Sequence, residues 1–208
     1  MKIKDIEVTC ANCGKPVTIK VKLSFMCRDS GFDTKPAEKY LLRDIHQCPN
    51  CGYSGYDISK GSPTGYAYIW DPYDPSKTVY KNAIISTDDL GEKFDLLLNY
   101  TWFLEFENRL DEAKKIRDQA LKQLDKAMES EEFVNNLELE DMIGLACIYI
   151  DSLRQLERFD EAKEDADALK EVIHENKPNS YIEKVCDKLI EFINNKDAAP
   201  HMQSEIKE

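Results

Sequence analysis

The stretch Cys10-Ala-Asn-Cys-Gly14 recurs as Cys48-Pro-Asn-Cys-Gly52, with only the second residue changed. These two stretches determine how the N-terminal region folds. Each places two thiols three positions apart and follows them with glycine. Two intervening residues let both sulfurs reach one metal ion at about 2.3 Å in tetrahedral geometry. We call these stretches the first knuckle (residues 10–14) and the second knuckle (residues 48–52). Together they predict one metal site with four thiolate ligands, Cys10, Cys13, Cys48 and Cys51.

The expected cofactor is a single structural Zn²⁺, because four thiolates close the shell whereas catalytic zinc keeps a position for water. Iron in the same tetrahedron and a redox dithiol pair are the alternatives. The 34 residues between the pairs, 14–47, exceed the roughly 15–20 of common four-cysteine patterns, and a strand-loop-strand insertion accounts for the difference. His46 and Cys27 are weaker candidate ligands, since the four-cysteine set is already complete.

The composition indicates a globular protein. Of the 208 residues, 42% are apolar and 33% are charged, which is typical of a globular protein rich in amphipathic helix. No run approaches the roughly 20 apolar residues of a membrane span, and the N-terminus lacks the apolar core of a signal peptide. An odd number of cysteines, seven, without an export signal favours thiols over disulfides. We therefore expect a cytoplasmic protein without membrane contact.

The charge is unevenly distributed. Residues 1–60 hold ten Lys or Arg and seven Asp or Glu, a net charge of +3, so the total of −12 leaves −15 on the rest. An acidic helical region repels phosphate backbones, which makes nucleic acid an unfavourable partner for it. Four charged residues, Arg28, Asp29, Asp33 and Asp44, fall between the knuckles. Pairing of Arg28 with nearby carboxylates, which would order the loop, is the favoured interpretation, and an ion-pair-lined contact site is the alternative.

Strands are expected on both sides of the second knuckle and after the first. Apolar and polar residues alternate from Val17 to Phe25, the pattern of a half-buried strand. Tyr40–Gln47 and Tyr53–Ile58 are the other predicted strands. A small antiparallel sheet held at one end by metal is a zinc ribbon, which we assign to residues 1–58.

Residues 59–86 are punctuated by glycine and proline, so a linker without regular structure is expected there. Four aromatic side chains make this linker a candidate partner-binding segment, because Tyr and Trp dominate interface hot spots. The alternative, which we favour, is that these rings pack the ribbon onto the helices. The four candidates are Tyr66, Tyr68, Trp70 and Tyr73.

Helical periodicity covers residues 87–195, and the tail 196–208 has none and is expected to be disordered. Within the helices, Asn108-Arg-Leu-Asp-Glu-Ala-Lys114 recurs 49 residues later as Glu157-Arg-Phe-Asp-Glu-Ala-Lys163. This repeat resembles tetratricopeptide (TPR) repeats, whose spacing is 34 residues, and a plain helical bundle is the alternative. The predicted fold is therefore α+β, a zinc ribbon followed by an all-α domain of TPR-like hairpins. The five predicted helices are Phe94–Trp102, Leu110–Ala127, Leu139–Leu153, Phe159–Ile173 and one that starts after Pro178.

Three motifs in order, followed by TPR-like helices, resemble a bacterial family of domains of unknown function that joins a split zinc ribbon to a TPR-like region. The motifs are Cys-x-x-Cys-Gly14, Arg28-Asp-Ser-Gly-Phe-Asp33 and Tyr40-x₇-Cys-Pro-Asn-Cys-Gly-Tyr-Ser54. The resemblance implies zinc binding by the four knuckle cysteines and carries no established activity.

The sequence favours a non-enzymatic, zinc-binding interaction scaffold whose helices bind an unidentified protein or peptide. A nucleic-acid-associated zinc-ribbon protein is the alternative, supported by the basic N-terminal region and the aromatic linker. An enzyme is the least favoured class, because the chain has no nucleophile-base ordering, phosphate-binding glycine loop or His-Glu-x-x-His motif.

Overall fold

The computed structural model of the chain describes residues 2–24, 29–60, 74–176 and 180–206. Contacts divide the chain into two compact units. The first unit comprises Met1–Met26 and Tyr40–Ile116, and the second comprises Cys27–Lys39 and Arg117–Glu208. Short antiparallel strands precede the helices, which confirms the α+β class. The units do not follow the predicted domains, because part of the inter-knuckle loop groups with the C-terminal helices.

Two β-hairpins form the N-terminal part of the first unit. Strands β1 (Lys2–Thr9) and β2 (Pro16–Ser24) pair antiparallel, and β3 (His46–Gln47) pairs antiparallel with β4 (Ser54–Gly55). Each knuckle is the turn of one hairpin. Strand β2 matches the alternating stretch in the sequence, whereas β1 was not predicted.

The other two predicted strands are mostly wrong. Of Tyr40–Gln47 only the last two residues pair, and Lys39–Leu41 form a turn of 3-10 helix. Side chains bind the carbonyl groups that a sheet would use. Lys22 Nζ donates to the Leu42 carbonyl at 2.9 Å, and Asn99 Nδ2 donates to the Arg43 carbonyl at 2.9 Å. Only Ser54–Gly55 of the third predicted strand pairs.

Helix α1 (Pro75–Ser86) lies inside the predicted linker, so the prediction of irregular structure is wrong for these residues. Asp74 accepts a hydrogen bond from the Lys77 backbone N–H at 3.0 Å, and Pro75 occupies the first helical turn. An acidic N-cap followed by proline is a helix start signal in its own right. Helix α2 (Leu90–Phe106) follows, capped by Asp89.

Aromatic stacking and one buried amide hold α1 and α2 together. The rings of Tyr80 and Tyr100 stack with centroids 4.6 Å apart. Asn99, which is 1% exposed, accepts from the Tyr80 hydroxyl at 3.2 Å and contacts the Tyr56 hydroxyl at 3.2 Å. The chain after the second hairpin is thereby joined to α2 through Tyr56.

The remaining helices are α3 (Leu110–Met128), α4 (Glu131–Asn135), α5 (Leu139–Gln155), α6 (Phe159–Asn176) and α7 (Ser180–Asn194). All five predicted helices are present, as α2, α3, α5, α6 and α7, while α1 and the short α4 were missed. The boundary between the units falls within α3. Among the described helices, none has the length and apolar composition needed to cross a bilayer.

The two copies of the repeated sequence adopt the same turn. Asn108 and Glu157 have left-handed backbones, with φ of 58° and 64°. The N–H after each one donates to the carbonyl five residues earlier, from Arg109 to Leu104 and from Arg158 to Leu153. This is a Schellman ending, which glycine usually completes. The copies thus share a conformation as well as a sequence.

The prediction of a disordered tail is wrong for residues 196–206. Arg154 Nη1 donates to the Ala199 carbonyl at 2.8 Å, and the His201 ring stacks on Phe192 with centroids 3.8 Å apart. Met202 pairs with Gly31 in an isolated β-bridge. These contacts use carbonyl groups and single rings, so they leave no periodic pattern in the sequence.

Two buried ion pairs lie within the second unit. Arg117 Nη1 contacts Asp33 Oδ2 at 2.7 Å, and both side chains are 2% exposed. Arg154 contacts Asp151 at 2.7 Å, and both are fully buried. Asp33 therefore fixes the loop before the second knuckle to α3, through a partner 84 residues away. The expected pairing of Arg28 with nearby carboxylates lies outside the described residues.

Replacing Asp33 with alanine should destabilise the protein by about 3–5 kcal/mol, because it removes the carboxylate that faces the buried Arg117 guanidinium. Asp187→Ala is the matched control, since its pair with Lys170 is more than half exposed and worth about 0–1 kcal/mol. Urea denaturation followed by circular dichroism measures both. Equal, small losses for the two variants would contradict the assignment.

Candidate functional site

All four knuckle sulfurs lie together at the ends of the two hairpins. Cys10 Sγ is 3.7 Å from Cys51 Sγ, and Cys13 Sγ is 3.7 Å from Cys48 Sγ. All four fall within 4.8 Å of one another. Zinc–sulfur bonds of about 2.3 Å in a tetrahedron place the sulfurs about 3.8 Å apart. The observed spacing fits four ligands around one ion.

Both knuckles have the same backbone hydrogen bonds. The N–H of the first cysteine donates to the carbonyl five residues later, at 3.0 Å from Cys10 and 2.8 Å from Cys48. The glycine N–H donates back to the carbonyl of the same cysteine, at 2.8 Å from Gly14 and 2.9 Å from Gly52. Both glycines have positive φ, 68° and 77°, which is why the motif carries glycine there.

Backbone N–H groups also point at the sulfurs. Burial raises the pKa of the Cys10 thiol to about 12, against donation from the N–H groups of Cys13 and Asn12. Burial acts in the same direction on Cys48, but N–H groups of Asn50 and Cys51 outweigh it and lower that pKa to about 7. Burial and N–H donation therefore act in opposite directions on the thiols of the cluster.

Apolar packing surrounds the sulfurs on the side away from solvent. Cys10 is 0% exposed and Cys48 is 1% exposed, whereas Cys13 and Cys51 are half-buried. The cluster packs against Val17 of β2 and is completed by further buried side chains. These are Tyr53 and Ile58, with Val8, Ala11 and Ile19 at the edge.

Neighbouring segments fix both knuckles. The Ala11 N–H donates to the Ile58 carbonyl at 2.9 Å, which ties the first knuckle to the chain after the second hairpin. The Gly52 carbonyl accepts from Ser54 Oγ at 2.9 Å and from Asn82 Nδ2 of α1 at 3.4 Å. Helix α1, missing from the sequence prediction, is thus part of the support of the metal centre.

His46, one of the two weaker candidate ligands, does not join this set. Among the described residues, the cluster of metal-ligating groups contains the four cysteines alone, without His46. Burial lowers the pKa of His46. Burial raises the pKa of Cys147 to about 12 and of Cys186 to about 11, which marks both as inert core thiols. Cys27 lies outside the described residues.

A second candidate site is an apolar groove in the second unit, between α3, α5 and α6. Its volume is about 600 Å³. Met128 and Val172 stand at its rim, 42% and 38% exposed. We call it the α3–α5–α6 groove. Its main apolar lining residues are Leu124, Met128, Leu139, Ile143, Leu169 and Val172.

The polar groups in this groove are acidic. Asp125 and Asp165 both line it, together with Tyr149. Burial, followed by the negative charges of Glu164, Glu161 and Asp125, raises the pKa of Asp165. Burial and the Asp125 carboxylate raise the pKa of the Tyr149 hydroxyl to about 12. The groove therefore combines an apolar floor with two carboxylates.

The remaining sequence candidates have separate locations. Asp44 pairs with Lys22 at 2.6 Å. Asp29 accepts a hydrogen bond from the backbone N–H of Ser204 in the tail, at 3.1 Å. The four aromatic candidates Tyr66, Tyr68, Trp70 and Tyr73, like Arg28, lie outside the described residues. Sequence reasoning missed the groove residues as a site, although their helical spacing correctly marked most of them as apolar helix faces.

Comparison with known protein families, with curated proteins and with solved structures finds no match to this chain.

Replacing Cys10 or Cys48 with serine should abolish stoichiometric metal binding and lower thermal stability, because either change removes a ligand that the small hairpins need. Cys186→Ala is the matched control, a buried cysteine outside the cluster, and should leave the metal content unchanged. Elemental analysis of the purified variants measures the ion per chain. Full zinc content in Cys48→Ser would contradict the ligand set.

Proposed function

We propose that the protein is a non-enzymatic interaction scaffold in which a structural zinc site stabilises the N-terminal hairpins and the helices bind a protein partner. The observation that carries the interaction role is the open α3–α5–α6 groove, which leaves apolar side chains exposed at its rim. Exposed apolar surface bordered by polar groups marks interaction sites in monomeric proteins.

The metal centre supports a structural role for the ion. Four thiolates fill a tetrahedral shell and leave no position for substrate. Zinc is the proposed ion, because sulfur spacing near 3.7 Å fits it and thiolates are its preferred ligands in such sites. The strands β3 and β4 have two residues each, too few for a stable sheet without a cross-link. Zinc bound by Cys10, Cys13, Cys48 and Cys51 supplies that link.

The helical hairpin α5–α6 supports a TPR-like assignment for the binding region. Its turn carries the second copy of the repeated sequence and ends α5 in a Schellman motif. Ala162 and Ala166 are fully buried, so the two helices approach closely. Stacked helical hairpins present concave surfaces that bind peptides and protein segments.

Photo-crosslinking in cells tests the interaction role. Benzoylphenylalanine placed at Met128 or at Val172 should capture the same partner, because both positions border the groove. Leu110 is the matched control, an apolar residue that is 54% exposed and does not line the groove. Mass spectrometry identifies the adducts.

The expected result is one adduct shared by the two rim positions and missing at Leu110. Folded variants that give no adduct at either rim position, or give the same adducts at Leu110, would count against the proposal. Circular dichroism of each variant establishes that it is folded.

A further inference from the structure

We propose that the α3–α5–α6 groove binds a basic amphipathic helix, one whose apolar face enters the groove and whose flanking Lys or Arg side chains contact Asp125 and Asp165. This inference rests on the proposed interaction role and names the chemistry of the partner.

The size of the groove is sufficient for the anchoring side chains of a helix. A volume of about 600 Å³ lies within the range of about 300–1,000 Å³ that accommodates a compact ligand or a few anchoring side chains. Helices bind such grooves through apolar side chains at positions i, i+3, i+4 and i+7. Met128 and Met142 line the groove, and methionine adapts its shape to varied apolar partners.

The charged side chains that line the groove favour a positively charged partner. Asp125 and Asp165 both line the groove, and both act electrostatically on the Tyr149 hydroxyl that lines it with them. Helix α6, one wall of the groove, carries seven Asp or Glu and two Lys, so this wall is acidic. Arg158, a cation that acts on Asp165 and Tyr149, is paired with Glu161 in a two-bond contact and with Asp118 at 3.5 Å. A Lys or Arg of the partner would complement the charge of the two carboxylates in the lining.

The same charges disfavour the other occupants. A second copy docked groove to groove would bring Asp125 and Asp165 of both copies together, which costs free energy. A fatty acid would bring its own carboxylate to Asp125 and Asp165. A basic peptide is the occupant with both complementary charge and complementary polarity.

Binding of two designed peptides to the full chain tests this inference at pH 7.5. The first is a helix-forming peptide of about 16 residues with leucine at the four anchor positions and lysine beside them. The second has glutamate in place of each lysine. Fluorescence anisotropy of labelled peptide measures affinity, and at least tenfold tighter binding of the lysine peptide is expected at low salt.

Matched variants distinguish the effect of the groove carboxylates on peptide binding from the effect of the overall net charge of −12. Asp125→Asn combined with Asp165→Asn should reduce the preference for lysine at least threefold. Asp167→Asn combined with Glu171→Gln makes the same change in net charge on exposed positions of α6 and should leave the preference unchanged.

Equal affinity for the two peptides would overturn the basic-partner inference and leave the interaction role standing. An equal effect of the two double variants would also overturn it, by assigning the preference to general charge. A dimer in sedimentation velocity that depends on Asp125 and Asp165 would assign the groove to a second copy instead. Photo-crosslinking does not depend on the charge of the partner, so it tests the interaction role independently of the basic-partner inference.

Discussion

Four sulfurs within 4.8 Å of one another are the constraint on which the first unit depends. Thiolates at this spacing repel each other, and two of them are removed from solvent. A cation at their centre converts that repulsion into attraction, and under the proposal the ion is zinc. The two hairpins then have a common fixed point, although neither buries enough apolar surface to be stable alone.

The metal centre extends beyond its ligands into the surrounding chain. Hydrogen bonds join the first knuckle to Ile58 and the second to Asn82 of α1. Helix α1 in turn stacks Tyr80 on Tyr100 of α2. Loss of the ion is therefore expected to loosen packing as far as these helices. The helical groove belongs to the other unit, which has its own core.

Local signals in the sequence were sufficient for the parts of the fold that depend on them. The spacing of cysteine and glycine in the knuckles predicted which four sulfurs meet, and apolar periodicity predicted α2, α3, α5, α6 and α7. Strand β1 was not predicted because only Ile6 and Val8 follow an alternation of apolar and polar residues. Ile3 is exposed on the opposite side of the strand. Helix α1 had a recognisable Asp74-Pro75 start, but the glycine- and proline-rich residues before it favoured a loop.

Long-range polar contacts were beyond sequence reasoning. Asp33 and Arg117 are 84 positions apart, and neither has a neighbour that identifies the other as its partner. The tail is held through backbone carbonyl groups that accept hydrogen bonds from Arg154. No pattern of side chains in the sequence therefore predicts this contact. The groove likewise depends on how α3, α5 and α6 pack, since periodicity marks apolar faces without showing which part stays uncovered.

X-ray absorption at the zinc edge shows whether the metal shell is closed. A closed shell of four thiolates gives four sulfur scatterers at about 2.3 Å and no nitrogen or oxygen ligand in protein purified with its native metal. Three sulfurs with one lighter ligand at about 2.0–2.1 Å would contradict it, because the site would then keep a position for water, His46 or a substrate.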